Sequence, residues 1–428
     1  MIRIGVAGLG TVGASTLDLL MNHNARIAGR AGVELAVTAV CSRDKSKDRG
    51  VDLSAVKWFD DPVALASSDD IDMYLELIGG ADGVAKASVE AALKAGKKVV
   101  TANKAMLAHH GAALSKLAEA TSGASLHYEA AVAGGIPAIK ALREGMTAND
   151  VTRVSGILNG TCNYILTEME ETGAAFGDVL ADAQRLGYAE ADPEADVGGF
   201  DAAHKLALMA AIAFGQQVDF DAVEITGIES VAAEDIQAAG ELGYRIRLLG
   251  VAEATDAGIS QRMRPCLTPK NSPLGKIEGV TNAVMIEGDA IGSTMLTGPG
   301  AGGGPTASAV VADVVDAARG NSPATFGLSK ATGQSVPTPA PKGGDHGAYY
   351  LRLSLADQPG ALAEVAAALG AEKVSIHRMR QYDHVGESAP VSIVTHETGE
   401  QNLNRAIERI AALDVSVAPP VSMRIVSI

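Results

Sequence analysis

Residues 2–7 (IRIGVA) form a short, mostly apolar run that predicts a buried strand. GLGTVG follows at once, and apolar positions from Val12 to Leu20 then recur at helical spacing. The runs ELAVTAVCS (34–42), IDMYLELIG (71–79), KKVVTAN (97–103) and LHYEAAVAG (126–134) predict further strands. Helical patterns such as Ala85 to Ala95 lie between them. Strands alternating with helices predict an α/β fold, a Rossmann-type doubly wound parallel sheet over residues 1–134.

The texture changes near residue 135. Helical stretches (Ala202 to Phe214) mix with strand-like ones (Val151 to Leu158, Ala283 to Glu287), which predicts an α+β substrate domain over 135–320. Residues 298–318 are a Gly-rich loop running into a helix, a second candidate anion site, and 300–320 are expected to complete the first domain. Residues 330–348, rich in Pro, Gly, Ser and Thr, read as a linker. The remaining 349–428 alternate as βαββαβ, the order of a small ferredoxin-like domain.

Composition narrows the classes. A length of 428 residues allows two or three domains, and a net charge of -16 argues against nucleic acid. The three cysteines Cys41, Cys162 and Cys266 form no CxxC pair, which fits a reducing compartment. With no signal-peptide pattern and no apolar run long enough for a membrane, the expected location is the cytoplasm.

The candidate chemistry begins at Gly8, Gly10 and Gly13. In G-x-G-x-x-G between strand and helix, the first glycine permits the turn, the second admits a pyrophosphate, and the third lets helix and strand pack. Thr11 and Val12 complete this cofactor loop. After the second strand, Arg43 suits the 2′-phosphate of NADP, whereas Asp44 keeps NAD open; both also read as solvated loop charges. Lys104 follows a strand whose carboxyl end should face the cofactor, although a surface lysine at a helix start fits the same position.

The densest group is residues 187–214, with Glu190, Asp192, Glu194, Asp196, Asp201 and Lys205. Asp201 and Lys205 are four apart on a predicted helix and share a face. Lys205 enters an apolar helix, and a lysine on a buried element can exchange protons near neutrality. The plain alternative is an exposed acidic loop with one surface ion pair. His204 is a rival acid/base off the Asp201 face, and His109-His110 lack metal-ligand spacing.

GLGTVG, TANKAM, EAAVAGGIP (129–137), GILNGTCNYIL (156–166), LGYAEADPEADVGGFDAAHK (186–205) and GPGAGGGPTASAV together resemble homoserine dehydrogenases, in family order across most of residues 1–320. DQPGALAEVAAAL (357–369) resembles an ACT domain, an amino-acid-sensing module. The resemblance implies reversible reduction of L-aspartate 4-semialdehyde to L-homoserine by NADPH or NADH, within threonine, methionine and isoleucine biosynthesis. It implies Lys205 as the acid/base, Lys104 at the reacting oxygen, and Glu190 and Asp201 at the substrate's amino group or orienting the lysines, supported by Asp196. Gly187 and Gly302 would line the nicotinamide side. Glu129, Val132, Gly134 and Ile136 match a monovalent-cation site, with sodium expected. Threonine is the expected ACT effector, and a homo-oligomer, dimer or tetramer, is expected. A reductase of another amino-acid aldehyde and a non-catalytic sensor of NADP and an amino acid remain the competing readings.

Overall fold

A computed structural model describes residues 1–328, 338–382 and 388–426. Six strands form the first sheet: β1 (Ile2–Ala7), β2 (Leu35–Cys41), β3 (Lys57–Phe59), β4 (Met73–Glu76), β5 (Lys98–Thr101) and β6 (Ser125–His127). All pair in parallel in the order β3-β2-β1-β4-β5-β6. The order reverses between β1 and β4, where ligands of such sheets gather at the strands' carboxyl ends. Ile4, Val6, Met73, Leu75 and Val100 are buried in the nucleotide-side core, as expected of a sheet covered on both faces.

The predicted strand 126–134 is shorter than its pattern. β6 stops at His127, and Glu129–Ala131 forms a 3₁₀ turn. The Glu129 N–H donates to the buried Asp313 carboxylate (2.7 Å), and its own carboxylate accepts the N–H groups of Ile139 (3.0 Å) and Lys140 (2.8 Å). These bonds turn the chain into the next helix, and tertiary contacts override the local strand pattern.

The second sheet holds β7 (Val151–Ile157), β8 (Val223–Ile225), β9 (Tyr244–Thr255), β10 (Gly258–Pro269), β11 (Thr281–Gly288) and β12 (Gly292–Pro299). Beyond the short β13 (His346–Gly347), it continues through β14 (Tyr349–Ala356), β15 (Ile376–Gln381), β16 (Ser388–Thr395) and β18 (Ser416–Ile425); β17 (Thr398–Gly399) pairs only with β13. With the helices Ala361–Ala371 and Glu400–Ala411, the C-terminal module has the expected βαββαβ order. It is not a separate sheet. β18 pairs with β14 on one side and, in parallel, with β10 on the other through Cys266↔Arg424 and Leu267↔Ile425. Arg264 adds ion pairs to Asp345 and Glu400. Of the expected linker, 330–337 lie outside the described residues; Pro339 bridges to Ile259.

Candidate active site

Gly8 sits at the end of β1 with φ +93°, and a Cβ there would fall 2.3 Å from the Leu77 carbonyl oxygen. Gly13 is equally constrained, since its Cβ would lie 2.0 Å from the Gly8 carbonyl oxygen. Only glycine lets the loops after β1 and β4 approach this closely. A Cβ on Gly10 would meet nothing, so that side of the turn is open. Gly10 caps the helix Thr11–Asn22 without any side-chain bond, which leaves its first-turn N–H groups for an anion. The helix Gly303–Ala318, capped by Gly302, starts beside it: a Cβ on Gly303 would fall 2.6 Å from Ser15 Oγ and 3.1 Å from Thr11 Cγ2. Two helix N-termini therefore share one corner, and this geometry fits a dinucleotide pyrophosphate.

Behind β4, the fully buried Glu76 carboxylate accepts the N–H groups of Ile78 and Gly79 and the Thr101 hydroxyl (2.5 Å). It fixes the loop that faces Gly8. Arg43 is exposed beyond β2, as is Asp44, whose Oδ1 accepts the Ser46 N–H (2.8 Å) and hydroxyl (2.7 Å). Arg49, which the pattern reading did not single out, donates to Ser42 Oγ (3.1 Å) and lies over the Trp58 ring (5.5 Å).

Lys104 and Lys205 meet at a single carboxylate. Lys104 opens the helix Lys104–Ala120, capped by the Asn103 side chain on the Met106 N–H. Lys205 lies on the helix Phe200–Ala213, which is apolar on nearly every side and buried through the domain. Its Nζ reaches Asp201 Oδ2 (2.6 Å) and donates to the Leu158 carbonyl at the end of β7 (2.7 Å). Lys104 Nζ holds the other oxygen, Asp201 Oδ1, at 3.0 Å. Burial alone would raise the Asp201 carboxyl, but the two ammoniums outweigh it and hold it far below the carboxylate range. Asp201 in turn is the main cause that raises Lys104. The Lys205 side chain is 9% exposed and that of Lys104 37%, so Lys104 is the member open to solvent.

Asp196 reaches this pair through Asn159, whose amide donates to Asp196 Oδ1 (2.7 Å) and Asp201 Oδ2 (3.0 Å). Burial pushes the Asp196 carboxyl up, against the Asn159 bond. Asn159 belongs to a motif that carries the resemblance, which assigns it no role. The available signal was Asn-Gly-Thr after a strand, which marks a helix cap. Glu190 is exposed, and among the described residues no bond joins its carboxylate to either lysine; its carbonyl accepts from Gln184. Gly187 ends the helix Phe176–Leu186 in the left-handed region. His204 is half-buried against His109 and Phe220, and desolvation pulls it down to about 4, so it is neutral near pH 7. His110 pairs with Asp82 (2.8 Å).

A cavity of about 490 Å³ lies elsewhere, between helices Thr11–Asn22, Asn24–Ala31 and Gly303–Ala318. No described helix is long and apolar enough to cross a membrane.

Residues 137–315 match the family model described as homoserine dehydrogenase, 8–129 that of its NAD binding domain, and 349–415 the ACT domain. The homoserine dehydrogenase of Neisseria gonorrhoeae is 43% identical over 99% of this chain and 98% of its own. That of Pseudomonas aeruginosa is 42% identical with the same coverage. A homoserine dehydrogenase structure from Thiobacillus denitrificans superposes with a TM-score of 0.93 at 42% identity, covering 100% of this chain and 98% of that one. A hyperthermophilic archaeal homoserine dehydrogenase in complex with NADPH superposes at 0.63 and 26% identity, over 74% of this chain and 97% of that one. At such identity, carried from end to end, the chain belongs to the homoserine dehydrogenase family of oxidoreductases.

Proposed function

We propose that the Lys104–Asp201–Lys205 cluster performs the reversible reduction of L-aspartate 4-semialdehyde to L-homoserine, with NADPH as the preferred cofactor. The observation that carries this reading is one carboxylate held between two ammoniums, at 3.0 and 2.6 Å. When bound, the nicotinamide supplies a hydride to the aldehyde carbon. The carbonyl oxygen then gains negative charge, and Lys205 stabilises it and gives it a proton. Lys104 holds the same oxygen and, being open to solvent, returns the proton. Asp201 stays ionised throughout and orients both lysines. Glu190 and Asp196 are assigned to the substrate's α-ammonium side, with Glu190 free to turn inward from its exposed loop.

Gly8, Gly10, Thr11, Val12, Gly13 and Gly302 form the cofactor corner, and Gly187 lies on the loop assigned to the nicotinamide side. Two facts favour NADPH over NADH: Asp44 Oδ1 is engaged by Ser46, and Arg43 and Arg49 flank the end of β2.

A sodium ion fits the turn 129–136. Ala133 (φ 55°) and Gly134 (φ 52°) are both left-handed there, and among the described residues the Val132 and Gly134 carbonyls accept no hydrogen bond. The Glu129 carboxylate, held by the Ile139 and Lys140 N–H groups, is pushed up to about 7 by burial and by Asp313. The Ile136 carbonyl already accepts the Ala138 N–H (2.8 Å) and is the weakest member.

In the C-terminal module, Asp357, Gln358 and Gly360 line a cavity of about 450 Å³, the proposed threonine site. Pairing of such modules between subunits would make a cytoplasmic homo-oligomer.

The test is aspartate-semialdehyde-dependent oxidation of NADPH against NADH, each with and without threonine. Faster NADPH oxidation that threonine suppresses is expected. A preference for NADH would overturn the cofactor assignment, and indifference to threonine would overturn the effector.

A further inference from the structure

The two lysines are aligned by Asp201, but Asp201 is itself held by a residue from another element. Asn159 follows β7 and is buried, and its side-chain oxygen accepts the Cys162 N–H (2.8 Å) as the cap of the helix Gly160–Thr172. Its amide nitrogen is left for two acceptors, Asp196 Oδ1 and Asp201 Oδ2. A planar amide rooted in a helix cap has no freedom to follow a moving carboxylate. Asp201 Oδ2 receives Asn159 and Lys205 together, which leaves Oδ1 turned toward Lys104. Asp196 is pinned from its other end as well, since its carbonyl accepts the Cys162 thiol (3.1 Å).

We infer that Asn159 is a positioning residue for the reaction: its amide clamps Asp196 to Asp201 and fixes the carboxylate plane that aims Lys104 and Lys205 at one substrate oxygen. This rests on the lysine roles proposed above. Without the amide, the Asp201 carboxylate is free to rotate, and both ammoniums lose their shared aim. A misplacement of this kind, on the order of 1 Å, costs about 10²-fold in rate. The amide also stabilises the ionised carboxylates, so its loss moves their protonation to higher pH. The titratable groups facing these carboxylates are Lys104, Lys205, His204 and Cys162.

Two variants separate aiming from capping. Asn159→Ser keeps a good cap acceptor but has no amide donor, whereas Asn159→Ala loses both. The Ser variant should melt near the wild-type temperature and keep the wild-type KM for NADPH. Its kcat should fall by about 10²-fold, with the acid limb of kcat/KM shifted upward in pH. An Asn159→Ser enzyme with wild-type kcat and an unmoved acid limb would overturn the inference, as would a loss confined to Asn159→Ala, which would reduce the residue to a cap. Lys205→Ala assayed in parallel keeps the two claims apart. If it turns over normally, the lysine assignment fails; if it is inactive while Asn159→Ser is normal, only the clamp fails.

Discussion

Two lysine–carboxylate clusters among the described residues pair their charges in opposite ratios. At the first, the one carboxylate of Asp201 touches two ammoniums, Lys104 and Lys205. At the second, one ammonium, Lys140, serves Asp313 (3.2 Å) and Asp316 (2.6 Å), with Glu129 bonded to Asp313 through its backbone. The consequences show in the carboxyls. Asp201 is driven down by its two ammoniums, whereas burial and then Asp313 drive Glu129 up to about 7, and burial raises Asp313 against the pull of Lys140. The first cluster turns two ammoniums toward one carboxylate, and its proposed partner is an oxygen that becomes negative. The second sets two carboxylates on one ammonium, and its proposed partner is a cation. Like residue types are thus proposed for opposite tasks.

The largest effect on stability should come from removing the shared carboxylate. Asp201→Asn leaves two ammoniums facing each other, and breaking a buried pair in this way costs about 3–5 kcal/mol. The melting temperature should drop, and turnover should fall by at least about 10²-fold. Near-normal values of both would dissolve the contrast between the clusters.

The cation cluster is tested by thermal melts in sodium against choline at equal ionic strength. A cation at 100 times its Kd adds about 2.7 kcal/mol of stability. The sign with pH follows from Glu129. Its folded value, raised to about 7, lies above its unfolded one, so the folded state holds the extra proton between the two, and the cost of the buried charge is complete only above about 7. Sodium should therefore stabilise more at about pH 8 than at about pH 5, where the proton competes with it. Glu129→Gln should abolish that difference. His127 and His204, both pulled down to about 4 by burial, act oppositely, adding stability as pH rises from about 4 toward 6.5, equally in either salt. A sodium effect independent of pH would detach Glu129 from the site.

Arg43→Ala should raise the KM for NADPH about tenfold, the scale of one charge-assisted bond, and leave NADH unchanged. An equal loss for both cofactors would remove Arg43 from the 2′-phosphate. The smallest effect belongs to Glu190→Gln. The residue is exposed, so stability should stay within about 0.5 kcal/mol while the KM for homoserine rises a few-fold. An unchanged KM would take Glu190 out of substrate binding.

Much of this was legible before any coordinates. Local signals sufficed for Gly8, Gly10 and Gly13, because a strand, a glycine turn and a helix are consecutive in the chain. The i, i+4 spacing of Asp201 and Lys205 likewise foretold a contact that closes at 2.6 Å. What escaped depends on long-range contact. Asn159 meets Asp201 across 42 positions. β6 ends early because Glu129 bonds Asp313, 184 positions away. The expected linker gave no hint that β18 would extend the sheet of β10, since pairing partners leave no periodic mark on either strand.

The most direct test of the central claim is Lys205→Ala, titrated with NADPH and then mixed with aspartate semialdehyde. The account predicts cofactor binding within about twofold of wild type and a loss of turnover on the order of 10³-fold, as expected when a general acid is removed. Wild-type oxidation of NADPH by that variant would contradict it.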